Sequence, residues 1–390
     1  MSCVIFGAGK IARGFIGHLL YLSNIDFVFV EKENSLCDLI NERKEYTVNI
    51  LGNEKENCVV KNVKALKFSQ EDEIIKVISE ADAVFSAVGG KNLGEIVPFI
   101  TKGIEAKKEK GGKINFITCE NWKKPADVLK NGVLERISDD TKGYFEENVG
   151  ITEAVIMRSA IEADRELLLK DPLVVNVQNY WELHVDASRL KSNLPAIRGL
   201  NLIDEFTGFL ERKFYTYNAA NGTTSFLGAL FGYEKIADAA HDEKILRILD
   251  GVYKETAKAL SKKHGIDFDE QWAFTRTSLN KLQDYTIVDF IERNARDPLR
   301  KLGPDDRLVG SAKLVLSCGI VPENLCIAIA AAIFYKCNTD EFAVELGRMR
   351  REKGIDYILE NVCKLDPKEE IAVLIKEKIE ILKNEGYINE

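Results

Sequence analysis

Residues able to move a proton and steady an oxyanion lie together in Glu211-Arg-Lys213-Phe-Tyr-Thr-Tyr-Asn218-Ala-Ala-Asn221-Gly222. A lysine drawn partly out of water has a lowered pKa and can act as a base near neutrality. Carboxamide N–H groups suit the oxygen that such a base would deprotonate. At about 100° per residue, Lys213, Asn218 and Asn221 share an arc of roughly 140° on a helix. The segment also reads as an exposed lysine with asparagines fraying a helix end before Gly222. From these residues alone, that plainer reading is the better one.

A second cluster opens the chain, MSCVIFGAGKIARGFIG. Cys3–Phe6 is too short and apolar for a helix and suits a buried strand. Gly7 permits a tight turn, and Gly9 lets backbone approach a pyrophosphate without a Cβ in the way. Ala12 takes the third small position, where helix and strand pack closely. The helix that follows offers amide N–H groups and the positive end of its dipole to phosphates. A second strand, Phe27–Val30, ends on Glu31, about twenty residues past the glycines, where a carboxylate can accept from ribose hydroxyls. Glu31 also repels a 2′-phosphate, which favours NAD over NADP, a preference that Lys32 weakens slightly.

Other strand ends could complete such a site. Asp82–Val88 reads as a buried strand ending at Gly89-Gly90, small residues against which a nicotinamide ribose could lie. Lys113–Cys119 is the next strand, followed by Glu120-Asn121-Trp122. Asn121 suits a ligand contact beyond a strand end or a cap on the following helix, and the two readings are evenly matched.

These clusters need elements to position them. Helices are expected at 35–43, 71–78 and 92–107, with short strands at 46–51 and 58–63. The alternation predicts a parallel sheet wrapped on both faces. The stretches 149–158 and 173–185 are β-rich, and 195–200 is a plausible boundary. Beyond it the pattern is helical, at 206–218, 242–264, 267–284, 306–317, 323–335 and 369–383. The expected fold is α/β, with a Rossmann-type doubly wound domain over 1–195 and a mostly helical domain over 196–390. The cleft between them is the expected site.

Composition removes several function classes. The 390 residues are 45% hydrophobic and 30% charged, as in an ordinary globular protein, with a net charge of −8 that argues against nucleic acid as main partner. The lysine-rich 107–113 is broken by an acidic residue and glycines, as in a solvated helix end. No signal peptide is readable, and the longest apolar stretch, 326–334, is too short for a bilayer. Eight cysteines without CxxC pairs and four histidines fit reduced thiols in a cytoplasmic protein better than disulfides or zinc. A Tyr-x-x-x-Lys pair, a common arrangement for taking a hydroxyl proton, is also absent.

Taken together, Gly7-Ala-Gly9-x-x-x-Arg13-Gly14-Phe15-Ile16-Gly17, Cys119-Glu120-Asn121, Lys213-x4-Asn218 and Pro298-Leu-Arg300-Lys301-Leu302 with Asp306-Arg307-Leu308 resemble the polyol-specific long-chain dehydrogenases/reductases. The similarity runs from Cys3 to about Leu346. Within the family, the length and the ERKFYTYN and PLRKL segments look most like the mannitol-1-phosphate 5-dehydrogenases. The resemblance implies a metal-free enzyme with an NAD domain, in which Gly7, Gly9, Ala12, Arg13, Glu31 and Gly89 would serve the cofactor. It implies Lys213 as general acid/base, Asn121 and Asn218 as holders of the alkoxide oxygen, and Asn221 and Arg293 as substrate contacts. Arg300 and Lys301, with Arg296 and Arg307, could supply a phosphate-binding surface. A small-molecule polyol or sugar phosphate is the expected partner, and a monomer the expected state.

Three positions depart from the family pattern. Asn221 stands where the family has histidine. Ile156-Met157 replaces an Asp-Arg pair, with Arg158 displaced by one. Ala12 replaces a glycine. The first two bear on substrate identity, and two alternatives follow. One is a tagaturonate or fructuronate reductase of the same superfamily. The other is a catalytically impaired NAD-binding sensor.

Overall fold

The computed structural model describes residues 2–161 and 163–388. The chain divides into two compact units, Met1–Phe206 and Thr207–Glu390. The division falls after a strand at Leu200–Ile203.

The strands of the first unit are β1 (Ser2–Phe6), β2 (Asp26–Glu31), β3 (Glu45–Leu51), β4 (Cys58–Lys61), β5 (Ala65–Lys67), β6 (Ala83–Ser86), β7 (Ile114–Thr118), β8 (Val149–Val155), β9 (Ala160–Ile161), β10 (Val175–Gln178), β11 (Leu183–Asp186) and β12 (Leu200–Ile203). Eight form one sheet in the order β12-β11-β8-β7-β6-β1-β2-β5. Its six strands from β5 to β8 run parallel, and β11 pairs antiparallel with β8. This is the doubly wound arrangement that the alternation predicts.

Alternation along β1 explains the two cores. Cys3 and Ile5 point to one face, and Val4 and Phe6 to the other. The Val4 and Phe6 face is covered by helices at Glu71–Glu80, Leu93–Lys110, Pro125–Leu134 and Asp139–Asn148. The opposite core contains the glycine-loop helix and a second sheet, β4-β3-β10-β9. The order reverses between β1 and β6, so the loops after these strands flank the crevice where open α/β sheets take ligands.

The second unit is helical among the described residues, apart from an isolated bridge between Lys235 and Phe290. Its centre is Glu323–Ile333, whose residues from Ala328 to Ile333 are wholly buried. The apolar stretch noted in the sequence is thus a core helix. Its first turn is held by buried Glu255, which accepts from the amides of Asn324 (2.7 Å) and Leu325 (3.1 Å). No described helix is long and apolar enough to cross a membrane.

Three helices escape the periodicity reading for physical reasons. Asp139–Asn148 buries only Thr141 and Phe145, so it has almost no apolar stripe. Pro125–Leu134 opens on a proline, which fits the first turn but reads as a breaker. Glu341–Asn361 breaks at Gly354 (φ +82°), which shifts the phase of its buried positions.

One glycine is sterically unavoidable. Gly199 leads into β12 at φ +77°, and a Cβ there would lie 1.9 Å from the Trp181 carbonyl oxygen. Gly199→Ala should lower stability by about 2–4 kcal/mol, read as a fall in the urea midpoint with unchanged slope.

Candidate functional site

In the first unit, the glycine loop is braced by its neighbours. Gly7 sits at φ +90°, and a Cβ there would lie 2.6 Å from the Ala87 carbonyl, so β1 and β6 close up only around glycine. A Cβ on Gly9 would meet nothing within 4 Å, which leaves the outer side of the loop open for a ligand. The first bond of the following helix runs from Arg13 N–H to Gly9 O at 3.0 Å, so the Ile11 and Ala12 amides lie outside its ladder. Ala12 is fully buried, and two later glycines of the helix are also closely packed. A Cβ on Gly14 would lie 2.6 Å from Val177, and one on Gly17 would lie 2.8 Å from the Tyr46 hydroxyl. Gly14 and Gly17 thus make tight approaches of their own further along the helix.

Glu31 ends β2 with its carboxylate on the loop, accepting from the Ala8 amide at 2.6 Å and from Glu33 N–H at 2.9 Å. It borders a pocket of about 200 Å³ that Gly7, Gly9, Phe68, Val88 and Ile96 also line. Lys32 lines the same pocket and pairs with Glu95 at 2.7 Å. An open glycine cradle, an apolar slot and a carboxylate at its lip fit a nucleoside diphosphate without a 2′-phosphate. Arg13 is buried, and its guanidinium donates to the Ala8 carbonyl, so it braces the loop from inside.

The β6 and β7 ends form a second brace that the sequence reading left without a role. Buried Glu120 accepts from the amides of Val88 (2.9 Å) and Gly89 (2.8 Å), with Gly89 at φ +83°. Burial pushes the Glu120 carboxyl up, and those two amide bonds oppose the shift. Trp122 lies over Gly90, where a Cβ would come 2.2 Å from the indole. A carboxylate in a buried strand end was the available signal. Asn121 is exposed beyond β7; the next helix starts at Pro125 with Lys124 at its cap, so Asn121 does not cap it.

Arg158, beside the departure at Ile156-Met157, is buried beneath the glycine-loop helix. It donates to Gly14 O at 3.1 Å and to Gln178 O at 2.9 Å.

In the second unit, Lys213 closes the helix Phe206–Lys213 and is followed by a π turn, Phe214–Asn218, then by the helix Ala219–Leu230. The Ala219 amide reaches back to Phe214 O, an i→i+5 bond. Such a wide turn brings residues five apart round to nearly the same face, so Lys213 and Asn218 align better than in an α-helix. The frayed end before Gly222 does not occur: Gly222 is buried within the helix, against Arg307, whose Cδ lies 3.2 Å from where a Cβ would be. Asn221 donates to Asn294 Oδ1 at 3.1 Å. The π turn is tied to the helix Phe268–Leu282 through Arg212 to Gln271 (2.6 Å) and Gln271 to Thr216 (3.0 Å).

The electrostatics single out Lys213. Among the described residues it has no hydrogen bond or ion pair, and burial, then Lys281 and Arg307, lowers its pKa to about 8. Burial also lowers Lys281 to about 8, against Asp289 and Asp284. Arg307 is held by Asp306 at 2.9 Å and lies over the Phe214 ring at 5.6 Å. Lys301 is buried, donates to the Arg296 carbonyl, and is lowered to about 8 by burial, then by Arg307 and Arg300. Arg300 is exposed and shared between Asp297 (3.0 Å) and Asp306 (3.2 Å). Arg293 is 76% exposed, 3.6 Å from Asp289. Lys281 had no local signal in the sequence; its part comes from helix packing.

A cation removed from this cluster should release Lys213. Lys281→Met is expected to raise the Lys213 pKa part of the way toward its ordinary value, because burial, the larger cause, remains. The pH dependence of labelling at Lys213 by an amine-directed reagent measures this.

Comparison with known proteins agrees with this layout. Residues 1–199 match the mannitol dehydrogenase Rossmann domain, and residues 205–389 the mannitol dehydrogenase C-terminal domain. Among solved structures, Pseudomonas fluorescens mannitol 2-dehydrogenase, in a ternary complex with NAD and D-mannitol, aligns with a TM-score of 0.73 at 14% identity, over 99% of this chain and 92% of that one. A D-sorbitol dehydrogenase in substrate-free form aligns at 0.81 and 14%, over 99% and 93%. At that identity the likeness is one of fold, while the two domain matches span nearly the whole sequence. The chain belongs to the mannitol dehydrogenase family.

Proposed function

We propose that this chain is an NAD-dependent dehydrogenase that interconverts a phosphorylated polyol and its ketose, with mannitol 1-phosphate and fructose 6-phosphate as the leading pair. The observation that carries the reading is Lys213, a desolvated amine with no acidic partner among the described residues, set among cations just before a π turn. A group that exchanges a hydroxyl proton near neutrality needs a pKa close to the working pH. A lysine reaches that range when burial and like charge penalise its ammonium form. Bound NAD would supply the hydride acceptor.

The remaining roles follow from the chain's own groups. Lys213 Nζ takes the hydroxyl proton in polyol oxidation and returns it in ketose reduction. Asn218, aligned with it by the wide turn, steadies the oxygen. Lys281, Lys301 and Arg307 give the neighbourhood a positive field suited to a phosphate dianion. Asn221, where the family has histidine, can donate through its amide but cannot titrate, which leaves the proton transfer to Lys213. Glu31 sets the preference for NAD by occupying the space a 2′-phosphate would need.

Two measurements test this. NADH oxidation with fructose 6-phosphate should collapse at least a thousandfold in Lys213→Ala. In the wild type, polyol oxidation should rise with pH and level off above about 8, because it needs the neutral amine. Ketose reduction needs the ammonium and should fall above about 8. Activity on tagaturonate or fructuronate alone would make the cations a carboxylate site. NADH binding without turnover on any of these would favour the sensor.

The cofactor preference is tested separately. Glu31→Ser should narrow the NADH-over-NADPH ratio of kcat/KM by tenfold or more; an unchanged ratio would remove Glu31 from that role.

A further inference from the structure

The helix after the glycine loop opens with one α bond, from Arg13 N–H to Gly9 O, and then leaves α geometry. Residues Ala12–Gly17 form a π segment before α geometry resumes at His18. Widening a turn in this way replaces i→i+4 bonds by longer-range i→i+5 ones and leaves carbonyls more open to a donor from outside the helix. Two consecutive carbonyls find such a donor. The Tyr46 hydroxyl, from β3, donates to Arg13 O at 2.9 Å. The Arg158 guanidinium donates to Gly14 O at 3.1 Å.

Both donors are buried and both are anchored. Arg158 Nε donates to Gln178 O on β10 at 2.9 Å, and its guanidinium lies 4.6 Å from the Trp181 ring centre. Its Nη1 is also 3.2 Å from Nδ1 of His18, a ring that burial, then Arg158 and Arg198, holds neutral by lowering its pKa to about 3. Among the described residues no carboxylate pairs with Arg158. A buried cation without a counter-charge is costly, and an apolar side chain of similar volume would serve packing better. Its hydrogen bonds to backbone are what an apolar residue could not replace. The glycines fit the same account. A Cβ on Gly17 would crowd the Tyr46 hydroxyl, and one on Gly14 would collide with Val175 and Val177.

We infer that Tyr46 and Arg158 are positioning residues that hold the π turn of the glycine-loop helix and thereby set the affinity of the chain for its dinucleotide. This rests on the cofactor reading above. The turn lies directly behind Gly9, Ile11 and Ala12. Relaxing it to α spacing would change the phase between the helix body and the loop, and so move the amides offered to the pyrophosphate.

Tyr46→Phe is the decisive variant, because it removes one hydroxyl and keeps the ring. Tyr253→Phe is its control: it also removes a buried hydroxyl, one bonded to Ser278 Oγ at 2.9 Å in the second unit. NADH binding is measured by fluorescence titration, beside thermal unfolding and turnover at saturating NADH. Tyr46→Phe should raise the NADH Kd at least fivefold, with kcat and the sugar-phosphate KM within twofold of wild type. Tyr253→Phe should lower Tm by a similar amount and leave the NADH Kd unchanged. Arg158→Lys, which keeps the charge and can reach one carbonyl, should weaken NADH less than Arg158→Met. An unchanged NADH Kd in Tyr46→Phe, or an equal loss in Tyr253→Phe, would overturn the positioning role and leave the cofactor reading standing. Failure of the wild type to bind NADH would overturn both.

Discussion

A lysine amine is placed where its charged form is unwelcome, and much of the second unit can be understood as what holds it there. Burial and the nearby Lys281 and Arg307 all act against the Lys213 ammonium. An isolated chain would turn such a side chain into water. Here the helix carrying it is pinned through Arg212, Gln271 and Thr216, and the unit's core is nucleated around the buried Glu323–Ile333 helix. The stability of that core tolerates an unfavourable group at the site, as functional sites commonly require.

Carboxylates that cap backbone amides recur at the ends of elements in both units. Glu31 holds the Ala8 amide, Glu120 the Val88 and Gly89 amides, and Glu255 the Asn324 and Leu325 amides. Each satisfies donors that a loop or helix start leaves orphaned, and each fixes the direction in which the chain leaves its strand or helix. At the crevice between β1 and β6, two such clips flank the same opening. The glycine loop and the Val88–Gly90 loop are thus each tied down by a carboxylate, and such pre-organisation lowers the entropy that binding a ligand must overcome.

The two motifs with chemical potential share a device. A π segment follows the glycine loop, and another follows Lys213. A wider turn re-aims the residues around it and opens backbone groups to further partners, local or tertiary. Tyr46 and Arg158 are such partners in the first unit. In the second, the Ala219 amide is shared between Phe214 O and Thr216 O, and Thr216 takes a side-chain bond from Gln271. The first segment carries two glycines and the second no strong helix former, yet neither composition by itself specifies a π turn.

What the chain's order of residues determined by itself is the sequence of elements with strong period, and the chemistry of its motifs. Strand, glycine turn and helix at the start, the acidic end of β2 and the helical second half all follow from local spacing, because period-2 and period-3.6 burial are local geometric facts. Helices with little apolar face, such as Asp139–Asn148, or with a phase break, such as Glu341–Asn361, carry no such period and were not legible. Tertiary structure decided which residues surround Lys213, since Lys281 lies 68 positions away along the chain and is brought near only by helix packing. It also decided that Gly14 and Gly17 make close approaches of their own, because the surfaces they meet belong to β3 and β10 of the second sheet. Desolvation, the largest cause of the Lys213 shift, depends on everything packed around a group. No local window of sequence contains it.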